Sequence, residues 1–260
     1  MLTRSFCCFR GVSPEAERRL WQSGALDWSG LARASRPLSP GKMTGLAAQM
    51  AEARAALQGR AADYFLSRLP VGYRLRIWPE FRDGVAFLDV ETTGLDRAAE
   101  ITVIGVLQAG RFRTYVRDRD LHLFLERWTA IETLITFNGA RFDLPLLMRT
   151  FGLRRAPPHI DLMDEARLFG FRGGLKAIER ALRIEREPAE DGDGRQAVEW
   201  WTQYKGQGAE DALERLVRYN ERDVRSLDGL ARRIYNATFD AYPGPPPRLA
   251  SCTAGSLTIE

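Results

Sequence analysis

Apolar positions follow two textures along the chain. Up to about residue 80 they recur at helical spacing. Ser13-Pro14 opens a first helix, because serine caps well and proline suits the first helical position; Gly24 stops it. Residues 34–45, rich in Ser, Pro and Gly, read as a connection. A longer helix is predicted over residues 44–69, with Leu46, Met50, Leu57, Tyr64 and Phe65 roughly on one side, until Leu69-Pro-Val-Gly72 breaks it. From residue 84 the pattern becomes strand-like. Residues 85–90 form a compact apolar run, 101–109 a second, and 111–116 alternate after the turn at Gly110. A helical stretch over 121–128 precedes a fourth strand, 133–137. Helices are then predicted over 144–151, 175–182, 195–204 and 209–235.

Three consecutive strands can form an antiparallel meander, and a fourth that follows a helical crossover can lie parallel beside the first. The expected fold class is therefore α/β: a mixed sheet flanked by helices, with a small helical N-terminal module. The expected division is a helical module over 1–75, an α/β domain over 84–235 and a Pro-rich tail over 236–260. No internal repeat is present.

Composition narrows the functional classes. The apolar and charged fractions, 45% and 28%, are those of an ordinary globular chain. The longest apolar run, 101–109, contains Thr102 and Gln108 and is far short of the roughly 18 residues of a membrane span. Arg4 and Arg10 bracket too few apolar residues for a secretory segment. The expectation is a cytoplasmic protein with no membrane partner. Three cysteines, Cys7, Cys8 and Cys252, make no disulfide framework, and His122 and His159 offer no zinc spacing. Of 38 basic and 34 acidic residues, positions 1–80 hold 12 and 6, a net of +6; the rest hold 26 and 28, a net of −2. A basic arm on a slightly acidic body fits an arm that meets phosphate and a body that holds cations.

The acidic residues carry the chemistry. Asp89-Val90-Glu91 places two carboxylates on one face at the end of an apolar strand. They repel each other unless something offsets the charge, and a divalent cation is the usual answer. Thr92-Thr93-Gly94 then turns the chain and offers hydroxyls and N–H groups. Asp143 follows the fourth strand in Asn138-Gly-Ala-Arg-Phe-Asp143, and reaches the same place if that strand lies beside the first. Tyr219 and Asp223 stand at i and i+4 on a predicted helix, hence on one side of it.

The segments 87–95, Phe-Leu-Asp-Val-Glu-Thr-Thr-Gly-Leu, 137–145, Phe-Asn-Gly-Ala-Arg-Phe-Asp-Leu-Pro, and 219–224, Tyr-Asn-Glu-Arg-Asp-Val, together resemble the three exonuclease motifs of the DEDD superfamily of ribonuclease-H-like (DnaQ-like) proteins. The last fits the Tyr-x-x-x-Asp variant, DEDDy; position 218 is arginine, where the rival variant has histidine. Residues 159–163, 174–179 and 199–230 further resemble the bacterial YprB-like branch. Residues 9–28 look like a degenerate helix–hairpin–helix, with Gly11-Val12-Ser13 in place of the usual Gly-hydrophobic-Gly.

The resemblance implies a 3′→5′ exonuclease acting on the single-stranded 3′ end of DNA or RNA with two divalent cations, Mg²⁺ or Mn²⁺. It implies metal ligands at Asp89, Glu91, Asp143 and Asp223, with Asp89 between both ions. Tyr219 would orient the attacking water. Thr92, Thr93, Gly94 and Leu95 would meet the terminal nucleotide, and Asn138 and Arg141 would help hold substrate. Asp161 is expected to support the fold. Trp200, Trp201 and Tyr204 are read as core before base-stacking surface. The competing readings are a binding module that kept the fold without the chemistry, and an endonuclease of ribonuclease H type. The full set of acids with Tyr219 favours the exonuclease.

Overall fold

The computed structural model describes residues 2–33, 40–94, 96, 98–182 and 194–243. They belong to two compact units: Met1–Arg82 with Arg232–Ser251, and Asp83–Ala231 with Cys252–Glu260.

In the first unit, α1 (Pro14–Gln22) starts as the sequence predicts, with Ser13 Oγ accepting the Ala16 N–H at 3.2 Å and proline at the first position. The single helix expected over 44–69 is instead two, α2 (Pro40–Gln58) and α3 (Ala62–Leu66). Arg60 between them has φ 52°, a left-handed conformation no α-helix carries. α4 (Trp78–Phe81) follows. The unit's core is aromatic: Phe6, Trp21, Phe65 and Phe81 are buried, and so are Tyr235, Phe239 and Tyr242. Residues 236–243, the start of the segment expected as a Pro-rich tail over 236–260, therefore pack into this unit. Trp21 stacks on Phe239 with ring centroids 6.0 Å apart and meets Tyr242 edge-on at 5.1 Å, large apolar surfaces that anchor the segment. The tail beyond Pro243 lies outside the described residues. Cys7 and Cys8 are free and buried. Burial pushes the Cys8 thiol up to about 12, so it stays protonated and unreactive.

The second unit is built on a five-stranded sheet in the order β3-β2-β1-β4-β5. β1 (Val85–Thr92), β2 (Ile101–Gln108) and β3 (Arg111–Val116) make the expected antiparallel meander. After α5 (Phe124–Thr129), β4 (Thr133–Thr136) runs parallel to β1, with Val85 opposite Thr133. α6 (Asp143–Phe151) ends at Gly152, whose φ of 61° supplies the left-handed stop. β5 (His159–Asp161) adds a parallel edge strand of three residues, too short to show as a pattern in the sequence. α7 (Leu162–Arg167), α8 (Leu175–Ala181), α9 (Gly194–Gln207) and α10 (Glu210–Ala237) complete the order.

The two faces of the sheet are covered differently. Ala86, Leu88 and Val90 of β1 join Ile104, Val106, Phe124 and Leu147 in one core cluster. Val103 and Val116 pack on the other face against Ala197 and Trp201 of α9 and Leu213, Leu216 and Tyr219 of α10. By the two-residue alternation of a strand, Asp89 and Glu91 belong to this second face. Among the described residues no helix is long and apolar enough to cross a membrane.

Candidate active site

β1 lays the foundation. Ala86, Leu88 and Val90 are buried on one face, and the alternation puts Asp89 and Glu91 on the other, at the carboxyl end of the strand. α10 crosses that face and brings Tyr219 and Asp223, one turn apart. β4, held parallel beside β1, leads into the loop that begins α6 with Asp143. The three segments meet in a cavity of about 190 Å³ lined by Asp89, Val90, Glu91, Thr92, Phe137, Asn138, Phe142, Asp143, Gly194, Tyr219 and Asp223. All four predicted carboxylates and the predicted tyrosine line this one space. Glu91, Asp143, Tyr219 and Asp223 are buried and Asp89 is half-buried.

The loop from β4 to α6 is tightly specified. Asn138 takes φ 61°, which asparagine tolerates better than most residues. Its N–H donates to Asp161 Oδ1 at 2.7 Å, the Ala140 N–H donates to Asp161 Oδ2 at 3.2 Å, and the Met163 N–H donates to Oδ1 at 3.0 Å. One carboxylate on β5 thus ties down the loop that presents Asp143 and also caps α7. Gly139 passes so close to Thr136 that a Cβ would lie 2.1 Å from its hydroxyl oxygen. Asp161→Ala removes the acceptor of three N–H groups. The expected loss is about 1–3 kcal/mol of stability, read by chemical denaturation; a loss under about 0.5 kcal/mol would show that water replaces the carboxylate at no cost.

The electrostatics are those of crowded acids. Burial, then the charge of Asp223, pushes the Asp89 carboxyl up to about 7. Glu91 is held well above the usual carboxylate range by burial and by the charges of Asp89 and Asp223. Asp143 is raised by burial and by Asp89. Among the described residues no three acidic, histidine or cysteine side chains stand splayed in a ready coordination shell. The donor set is nevertheless all carboxylate oxygen, the set that hard divalent cations such as Mg²⁺ and Mn²⁺ prefer, and its mutual repulsion is what a cation relieves. The residues fit such ions. The Tyr219 phenol is driven far up by burial and by the charges of Asp223, Glu91 and Asp89, so it keeps its proton and can donate to Asp223.

The predicted substrate residues divide. Thr92 and Asn138 line the cavity; Thr93, Gly94 and Arg141 do not. Thr93 Oγ1 accepts the Glu100 N–H at 3.0 Å and so serves the turn, while Arg141 is exposed on the loop. Leu95 lies outside the described residues. Trp201 is core, as read from the sequence, with Trp200 and Tyr204 packed beside it. Trp200 also meets the Tyr219 ring edge-on at 6.0 Å.

Sequence reasoning missed two neighbours of the acids. Lys176 of α8 places its ammonium 5.3 Å from the Tyr219 ring centroid, a cation beside a cluster of acids. Asn220 bonds the β1 carboxylates directly, whereas Asp161 supports the fold, as expected, through the loop that precedes Asp143. No local pattern marks Lys176 or Asn220, although the family resemblance runs through both segments.

The sequence profile of the RNase H superfamily matches residues 86–235, more than half of the chain. No curated protein matches the sequence. Among solved structures, the family B DNA polymerase from the hyperthermophilic archaeon Pyrobaculum calidifontis is similar at 17% identity and a TM-score of 0.47. The match covers 58% of this chain and 24% of the polymerase, so the chain spans about a quarter of that protein's length.

Proposed function

The chain belongs to the RNase H superfamily, and on that premise we propose that it is a metal-dependent 3′→5′ exonuclease of the DEDDy type, in the YprB-like branch. The observation that carries the reading is the single cavity lined by Asp89, Glu91, Asp143, Asp223 and Tyr219. The chemistry belongs to the domain over 84–235, with the module over 1–75 appended to it. Asp89, Glu91, Asp143 and Asp223 would hold two Mg²⁺ or Mn²⁺ ions, which supply positive charge to the attacking and leaving oxygens of an in-line displacement.

The reaction is hydrolysis. Water oxygen bonds to the terminal phosphorus, the bond from phosphorus to the 3′ oxygen of the preceding nucleotide breaks, and that oxygen takes up a proton. Tyr219 keeps its proton and orients the water by hydrogen bond. It is not the base, because the acids around it hold its phenol far above neutral pH. Thr92 and Asn138 also line the cavity and would meet the last nucleotide. A single-stranded oligonucleotide with a free 3′ end should be shortened stepwise, and the same strand with a blocked 3′ end should survive. Internal cuts in the blocked strand would favour the endonuclease reading instead.

The raised carboxylates give a pH signature. Asp89 has an ordinary value of 3.8 and is held at about 7 in the fold. Between those two values the native state keeps a proton that the unfolded state has lost. Stability without metal therefore falls as pH rises through this window, by at most about 1.4 kcal/mol per pH unit for one proton. A divalent cation takes the proton's place, so the melting shift produced by Mn²⁺ should be larger at pH 8 than at pH 5. Equal shifts at both values would contradict cation binding to these carboxylates.

A further inference from the structure

Gly105 of β2 stands directly across the antiparallel ladder from Asp89. On the face that carries Asp89 and Glu91, position 105 therefore offers no side chain. The gap is filled from above: a Cβ built on Gly105 would lie 1.9 Å from Oδ1 of Asn220 and 3.0 Å from its amide carbon. Asn220, the neighbour of Tyr219 on α10, is completely buried. Its Nδ2 donates to Asp89 Oδ2 at 3.0 Å and lies 3.3 Å from the Asp89 carbonyl oxygen and 3.4 Å from Glu91 Oε1. One amide group, carrying two hydrogens, thus touches both β1 carboxylates.

This arrangement is costly as packing. Asn220 Oδ1 is buried without a hydrogen-bond partner, and an orphaned buried acceptor is destabilising. An apolar residue over Gly105 would avoid that loss. What an apolar residue cannot do is fix two carboxylates in orientation, since an ionised carboxylate only accepts.

We propose that Asn220, seated in the notch left by Gly105, is a positioning residue that aligns the Asp89 and Glu91 carboxylates to share one divalent cation. The inference rests on the nuclease reading and adds a role to it. Asn220 does not touch substrate; it acts through the two acids. Gly105 is part of the device, because any side chain there displaces the amide.

The test uses the full chain with Asn220→Ala, Gly105→Ala and the double variant, and Asp89→Asn as the control. Mn²⁺ binding is titrated by electron paramagnetic resonance, folding is followed by thermal melting in EDTA, and cleavage is split into kcat and KM. Asn220→Ala is expected to weaken Mn²⁺ binding about 10- to 100-fold and to lower kcat with KM for the oligonucleotide little changed. In the double variant the methyl group of Gly105→Ala enters the space that Asn220→Ala vacates. That variant should melt near wild type yet keep the weak Mn²⁺ binding. If Mn²⁺ affinity returns together with stability, Asn220 is only packing and the proposal fails. If Asn220→Ala folds poorly, Asn220→Ser supplies the comparison, and wild-type Mn²⁺ affinity in it overturns the proposal equally. Wild type that takes up no Mn²⁺ sinks the nuclease reading itself. Tight Mn²⁺ binding by both wild type and Asn220→Ala sinks this inference alone.

Discussion

Asp89→Asn is expected to cut the rate of strand cleavage about 10³-fold or more, a loss of about 4 kcal/mol of transition-state stabilisation. Asp89 is the hub of the acidic cluster. It faces Asp223 and Glu91, raises Asp143 by its charge, and accepts from Asn220. Asparagine keeps its shape and removes the charge that a cation needs. The fold should not suffer. The Asp89 carboxyl is pushed up to about 7, so above that pH its ionised form is repelled by its neighbours, and the neutral side chain relieves the repulsion. At pH 8 in EDTA the variant should melt no lower than wild type, which separates a chemical defect from misfolding. Cleavage within about tenfold of wild type would remove Asp89 from the chemistry.

Arg76→Ala is expected to destabilise the first unit by about 3–5 kcal/mol, through a buried charge left alone. Arg76 is completely buried, and Nη1 donates to Glu17 Oε1 at 2.6 Å. Nε donates to Thr238 Oγ1 at 3.1 Å and Nη2 to the Thr238 carbonyl. Its guanidinium lies 4.2 Å from the Phe239 ring centroid and 4.7 Å from that of Tyr73. Glu17 also accepts the N–H groups of Phe6 at 2.5 Å and Cys7 at 2.9 Å. The ion pair and its hydrogen bonds therefore join the N-terminal turn, α1, the segment before α4 and Thr238, the residue that follows α10. Removing the arginine strands the carboxylate; replacing both, as in Arg76→Met with Glu17→Leu, should recover most of the loss, since an intact buried pair has little net advantage over apolar packing. Urea denaturation followed by tryptophan fluorescence reads both variants. A single-variant loss below about 1 kcal/mol would show that water reaches Glu17.

How far the sequence discloses all this depends on the range of each interaction. Asp89 and Glu91 are visible because strand geometry sends residues two apart to one face, and Tyr219 with Asp223 because one helical turn separates them. Asp143 needs one further step, the parallel return of β4 beside β1, which the element order supplies. The remaining partners sit far apart in sequence. Asn220 meets Asp89 across 131 positions and depends on a glycine in a third segment. Glu17 and Arg76 are 59 positions apart, and composition alone makes Arg76 one more residue of a basic arm. The division between α2 and α3 falls at Gly59-Arg60, a glycine signal inside an apolar pattern that otherwise runs on as one helix. β5, at three residues, is defined by its pairing with β4 and not by its own pattern. Local periodicity thus reveals the acids and the sheet that carries them, whereas what steers the acids is set by packing.

The most direct measurement is a time course of 5′-labelled single-stranded DNA and RNA oligonucleotides with the purified chain in Mn²⁺, Mg²⁺ or EDTA. The expected result is a ladder that shortens from the 3′ end with a divalent cation and stops in EDTA, and the strand trimmed faster names the preferred sugar. Full-length strands after prolonged incubation with either metal, while the protein still binds them, would contradict it and leave a nucleic-acid-binding module on a ribonuclease-H-like fold.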